Sequence, residues 1–131
     1  MSELKIVVVT PERTAIDEMA EFVSLPIFDG EMGVGIGHAP FIAQLGYGEI
    51  RWRSANETTR CFVDAGFVQV QDDSIVVLTE NVIPIDEIDR SVAQEQLEKV
   101  GQQRATSDAE FAERDRLTAQ ARALLHLSEG N

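Results

Sequence analysis

The sequence predicts an all-β sandwich of about ten antiparallel strands followed by a C-terminal α-helical hairpin. Three observations carry that expectation. Short β-branched or alternating segments recur up to residue 84, with turn residues roughly every 8 to 10 positions. The intervals between consecutive segments are too short for crossover helices, which favours antiparallel pairing. Past Pro84 the β-branched residues thin out and Ala, Glu, Gln, Arg and Leu take over. The expected units are therefore residues 1–84, a β-sandwich domain, and residues 85–131, an antiparallel two-helix hairpin.

In order, Leu4 to Val9 (LKIVVV) is the first strand, closed by Thr10-Pro11-Glu12. Ala15 to Met19 and Glu21 to Leu25 follow, the second ended by Pro26, which has no N–H for a ladder. Phe28-Asp29-Gly30 turns the chain into a glycine-rich stretch, DGEMGVGIGHAP, in which Gly alternates with Met32, Val34 and Ile36 before His38-Ala39-Pro40. Such a segment is a strand with one bare face, suited to close approach of another backbone. Phe41 to Leu45 and Glu49 to Arg53 are strands separated by a Gly46-Tyr47-Gly48 turn, and the second alternates with Ile50 and Trp52 on one face. Thr58 to Asp64 is next, broken at Ala65-Gly66. Phe67 to Gln71 alternates, Asp72-Asp73 makes a tight turn, and Ser74 to Thr79 has the strongest strand character in the chain.

A first helix is expected from about Asp86, with Asp86, Glu87 and Asp89 at the positive end of its dipole. Ile85, Ile88, Val92, Ala93, Leu97 and Val100 fall largely on one face. Ala105 to Asp108 turns the chain, and Ser107 with Glu110 has capping-box spacing for a second helix. The apolar stripe of that helix is Phe111, Leu117, Ala121, Leu124 and Leu125.

Composition narrows the function. A formal net charge of -12 over 131 residues provides no clustered Lys and Arg for nucleic acid or for anionic lipid. No apolar run approaches the roughly 20 residues of a membrane helix, and the N-terminal MSELKIVVVTPE lacks the pattern of a secretory signal. Neither membrane insertion nor nucleic-acid binding is expected. The single cysteine, Cys61, lies in an apolar alternating stretch and is expected to be a buried structural thiol. His38 and His126 have no second His or Cys at metal-ligand spacing, so no metal site is expected. No Gly-x-Ser-x-Gly elbow or P-loop is present, and the acidic pairs belong to turns and helix starts. The glycine series fails as a dinucleotide fingerprint, because His38 stands where the third glycine falls and strand-like sequence replaces the following helix. Catalytic residues and cofactors are accordingly expected to be none. Residue chemistry alone leaves two classes open, a free-standing β-sandwich that binds a small ligand and a subunit that docks on other proteins.

The order of motifs resembles one family along essentially the whole chain. Thr10-Pro11-Glu12, Leu25-Pro26, Asp29-Gly30-Glu31-x-Gly33, Gly37-His38-Ala39-Pro40, Leu45-x-x-Gly48-x-Ile50, Gly66-Phe67-x-x-Val70 and Val76-Val77-Leu78 occur in the order and spacing of the epsilon subunit of the rotary F-type ATP synthase, called delta in mitochondria. That resemblance implies a non-catalytic central-stalk rotor subunit, peripheral at the cytoplasmic face of the bacterial cell membrane, which couples proton-driven c-ring rotation to ATP synthesis. Its implied partners are the gamma subunit, the c-ring loops and, through the hairpin, the catalytic alpha and beta subunits, whose ATP hydrolysis the hairpin can inhibit. Glu31, Gly37, His38, Ala39, Pro40 and Phe41 match the positions that face the c-ring. Some bacterial members bind ATP through an Ile/Leu-Asp-x-x-Arg-Ala motif. This chain has Ile88, Asp89 and Ala93, but Val92 stands where the motif has arginine. Arg90 cannot substitute, because two helical residues rotate a side chain by about 200°. Weak or absent ATP binding is therefore expected.

Overall fold

A computed structural model describes residues 3–129. Its contacts divide the chain into two compact units, one ending at Pro84 and one beginning at Ile85. In the first, β1 (Leu4–Val9), β2 (Thr14–Ala20), β3 (Phe22–Ile27), β4 (Gly30–Val34), β5 (Phe41–Ser54), β6 (Glu57–Gln71), β7 (Ser74–Leu78) and β8 (Val82–Pro84) pair in the order β2-β1-β7-β6-β5-β3-β4, with β8 also on β6. The result is a β-sandwich, and the second unit is a helical pair, as the sequence predicts. Alternation builds the core. Ile6 and Val8 of β1, Val23 and Leu25 of β3, Ile50 and Trp52 of β5, Val68 and Val70 of β6, and Ile75 and Val77 of β7 all point inward and are buried. Cys61 is buried with them.

Several details differ from the sequence expectation. First, the described residues form eight strands and not about ten, because β5 and β6 run for 14 and 15 residues straight through the glycines that local pattern reads as turns or breaks. Those in β5 allow close approach. A Cβ at Gly48 would lie 2.9 Å from the Pro26 side chain, and one at Gly46 would lie 3.4 Å from the Ile27 carbonyl. Pro26 does not end β3 either. It sits in the stretch between Ser24 and Ile27 where the β3–β5 register shifts, so its missing N–H is accommodated there.

Second, not every pair is antiparallel. β1 runs parallel to β7, with Lys5 opposite Ser74 and Val9 opposite Leu78. The crossover argument applies to consecutive strands, whereas most of the sandwich lies between these two.

At Ala65 (φ 56) and Gly66 (φ 119) the backbone of β6 bends instead of stopping. On one side of the bend Phe67 to Gln71 pair with β7, and on the other Cys61 to Val63 pair with β8. Thr79 stitches the gap between β7 and β8: its Oγ1 accepts the Asp64 N–H at 3.0 Å and donates to the Asn81 carbonyl at 3.3 Å.

The second unit opens with a 3-10 turn, Ile85–Glu87, followed by α1 (Arg90–Gln102) and α2 (Asp108–Ser128), which pack on one another. The first α-helix therefore starts at Arg90 and not near Asp86. Asp89 is its N-cap, accepting the Val92 N–H at 3.2 Å, so the acids before it lie outside the helix. Ser107 caps α2 by accepting the Glu110 N–H at 3.2 Å, and Glu110 Oε1 accepts in turn from the Ser107 and Thr106 hydroxyls. Two residues of the expected apolar stripes, Val92 and Phe111, are exposed, while Ala93, Val100 and Ala121 are buried.

Candidate functional site

The glycine-rich stretch divides into an edge strand and a projecting corner. β4 is the last strand in the sheet order and ends at Val34, which is fully buried. Its bare face is partly occupied from within the chain, by the Phe22 ring. A Cβ at Gly33 would come within 2.6 Å of the Phe22 ring, so this glycine makes room for Phe22 of the same chain, while both residues stay exposed at the sheet edge.

From Gly35 onward the chain leaves the sheet. The His38 N–H donates to the Gly35 carbonyl at 3.3 Å, and Gly37 takes a left-handed φ of 79° with nothing near the position of a Cβ. His38 Nδ1 donates to the Ala39 carbonyl at 2.8 Å, since a carbonyl oxygen can only accept. The imidazole also meets the Phe41 ring edge-on, with centroids 5.2 Å apart. Phe41 packs against the core and anchors the far end. Between Val34 and Phe41 the chain thus presents Ile36, Gly37, Ala39 and Pro40 to solvent, beside the His38 ring and next to Ile42, which is 73% exposed.

A residue that sequence analysis assigns only to a turn completes the corner. Asp73, between β6 and β7, accepts the Gly37 N–H on Oδ1 at 2.8 Å, across 36 residues of sequence. Its signal in the sequence is slight: an Asp-Asp pair where a two-residue hairpin turn prefers Asn-Gly or Asp-Gly.

Of the predicted site residues, the structure brings Gly37, His38, Ala39, Pro40 and Phe41 together and gives Glu31 other partners. Glu31 accepts from Ser24 Oγ at 2.6 Å and from Arg51 Nη2 at 2.8 Å. Arg51 continues to Glu49 at 3.2 Å, and Glu49 receives Arg60 through Nε at 2.9 Å and Nη2 at 2.6 Å. The result is a continuous polar chain across β3, β4, β5 and β6. Glu49 is well shielded within it, with a side chain 13% exposed. Burial by itself pushes its carboxyl up, but hydrogen bonds from Arg60 and Arg51 and their charges outweigh this and hold it below the usual carboxylate range.

A depressed native pKa means stability that is present above the unfolded-state value and lost as pH falls through the native one. Glu49→Gln is therefore expected to lower stability by about 1–2 kcal/mol at neutral pH. The gap from wild type should close in acid. Urea titrations at several pH values check this, and a gap independent of pH would mean that charge is not the cause.

In the second unit Ile88 is half-buried, Asp89 is occupied as the α1 N-cap, Val92 is exposed and Ala93 is buried. These residues have structural positions of their own. Among the described residues no three His, Cys, Asp or Glu side chains gather in a way that could hold a metal ion.

Comparison with known proteins gives consistent matches. Residues 3–85 fit the family model of the ATP synthase delta/epsilon chain beta-sandwich domain. The chain is 42% identical to the ATP synthase epsilon chain of Rhodopirellula baltica over 125 residues, 95% of this chain and 98% of that one. It is 37% identical to the sodium ion specific ATP synthase epsilon chain of Propionigenium modestum over 98 residues, 75% of this chain and 72% of that one. Among solved structures, a chain of the Euglena gracilis mitochondrial ATP synthase superposes with a TM-score of 0.82 at 19% identity, covering 95% of this chain and 80% of its own. A chain of the Tetrahymena thermophila mitochondrial enzyme gives 0.77 at 13%, covering 97% of each; at these identities the likeness is one of fold.

A β-sandwich and a helical pair, matched along most of their length by ATP synthase epsilon chains, define an accessory subunit of a larger assembly. The chain belongs to the ATP synthase delta/epsilon chain family. It is an accessory subunit and does not itself catalyse.

Proposed function

We propose that this subunit works in the central stalk, where its sandwich binds the gamma subunit and its Gly37–Phe41 corner, together with Glu31, faces the polar loops of the c-ring. The observation that carries the reading is the corner itself, a projecting turn held at both ends by anchors in the core and presenting backbone, proline and imidazole. The two structurally similar chains come from an F1/c-ring assembly and from a central stalk with c-ring, which supports the same placement. Elsewhere on the sandwich, Phe67 and Leu78 pair across β6 and β7 and are both exposed, apolar area of the kind that a second protein covers. No helix among the described residues is long and apolar enough to cross a membrane. The subunit reaches the cytoplasmic face of the bacterial membrane through its partners.

Co-expression with the cognate gamma subunit tests this reading, and failure to co-purify would overturn it. A chain lacking residues 86–131 is expected to keep a folded sandwich that still co-purifies with gamma. Loss of gamma on that truncation would make the helices part of the binding core.

In the extended form the helical unit reaches the alpha and beta subunits. It carries more acidic than basic residues, which counts against strong inhibition of ATP hydrolysis. ATP binding is weak or absent as well, because Val92 replaces the motif arginine and Asp89 already serves as a cap. Calorimetry on the full chain should show no saturable ATP binding well below millimolar.

A further inference from the structure

Asp72 and Asp73 form a two-residue hairpin turn between β6 and β7, with φ values of 51° and 60°, and Gln71 and Ser74 are the last paired residues on either side. Two successive left-handed residues define the turn type that most favours glycine at its second position. An aspartate at position 73 accepts backbone strain that glycine would avoid. The strained residue is also the one that reaches away from its own hairpin. Its backbone carbonyl accepts the Lys5 N–H at 2.9 Å, which fastens the turn to β1, and its carboxylate accepts the Gly37 N–H at 2.8 Å.

Between its two core anchors the corner has few hydrogen bonds to hold it. Within Gly35 to Pro40 the internal restraints are the 3.3 Å bond from His38 N–H to Gly35 and the bond from His38 Nδ1 to Ala39. Neither hydrogen bond connects the corner to the sheet, which otherwise meets it at the buried Val34 and through the Phe41 ring against His38. The Asp73 carboxylate adds a hydrogen bond between those ends, at the glycine whose left-handed conformation sets the direction of the turn.

We infer that Asp73 is a positioning residue for the corner: it trades an easier turn for a tether that holds Gly37 to Pro40 in the orientation the c-ring loops meet. The inference rests on the reading of the corner as the c-ring-facing surface. It separates from a merely structural role because glycine at position 73 relieves strain while removing the tether, so stability and docking should respond differently.

The test uses the full chain with three variants, Asp73→Gly, Asp73→Asn and His38→Ala. Amide exchange at Gly37 is followed by NMR on each, thermal unfolding is measured, and each is co-sedimented, together with the gamma subunit, with vesicles holding the cognate c-ring. Asp73→Gly is expected to leave the unfolding temperature unchanged or raised, to speed Gly37 exchange about tenfold, and to weaken c-ring binding about three- to tenfold, the range expected for one lost hydrogen bond. Asp73→Asn keeps an acceptor oxygen and should restore both readouts. Unchanged Gly37 exchange in Asp73→Gly would overturn the tether. Faster exchange with undiminished binding, while His38→Ala binds poorly, would overturn its role in docking but leave the c-ring reading standing. Undiminished binding in both Asp73→Gly and His38→Ala would remove the c-ring reading and the inference with it.

Discussion

Gly66→Ala is expected to destabilise the sandwich by about 3 kcal/mol or more, a large part of the roughly 5–15 kcal/mol that holds a domain of this kind together. Two effects add at this position. The backbone φ of 119° lies where L side chains are strained, a penalty of about 1–3 kcal/mol. In addition, a Cβ there would overlap the Leu78 carbonyl oxygen and crowd the Leu78 carbonyl carbon at 2.9 Å. The obstruction is main chain in a neighbouring strand, so it cannot be relieved by rotating a side chain. β6 and β7 would have to separate at the bend where Thr79 links Asp64 of β6 to Asn81, just before β8. Trp52, the only tryptophan and 2% exposed in the sandwich core, reports the outcome through its fluorescence in a urea titration. A loss below about 1 kcal/mol would show that the bend shifts easily and that Gly66 is not required by packing.

Gly37→Val should behave in the opposite way, leaving the fold intact and disabling the surface. Its φ of 79° is equally foreign to a β-branched residue, but nothing lies within reach of a Cβ there. The strain, about 1–2 kcal/mol, can be relieved by the corner changing shape, because residues 35–40 lie outside the sheet. Trp52-detected stability should therefore change by less than about 1 kcal/mol. Binding to c-ring vesicles should fall by tenfold or more, since the redirected turn moves His38, Ala39 and Pro40 together. Normal binding by the Gly37→Val variant, with its fold intact, would detach the corner from the c-ring.

These two glycines mark how far sequence can be read. Both belong to recognisable motifs, Gly66-Phe67 and Gly37-His38-Ala39-Pro40, and both are identifiable as positions with a special backbone. What each accommodates is not. Local pattern predicts a strand break at Gly66, and the structure instead bends β6 there around the carbonyl of Leu78 in β7. The same pattern predicts a glycine-bared face for close approach of another backbone, and at Gly33 the structure places the Phe22 ring of the same chain there. Periodicity identifies faces within one segment, but it contains no information on which distant segment crosses over that face.

The same limit accounts for the charged residues. Glu31 stands out through its motif, yet its partners Ser24 and Arg51 come from β3 and β5, and the better-shielded Glu49 carries no motif at all. Asp73 looks like ordinary turn chemistry because its tether to Gly37 spans 36 residues.

Local sequence determined the strand and helix classes, the change of character near residue 84, the Ser107 cap and the glycine-marked corner, because each depends on residues within a few positions of one another. Only the tertiary structure decided that β5 and β6 run through their glycines, that β1 lies parallel to β7, and that an aspartate from a distant turn holds the corner. Each of those depends on which segments become neighbours when the sheet closes, and that is settled by packing the whole core at once.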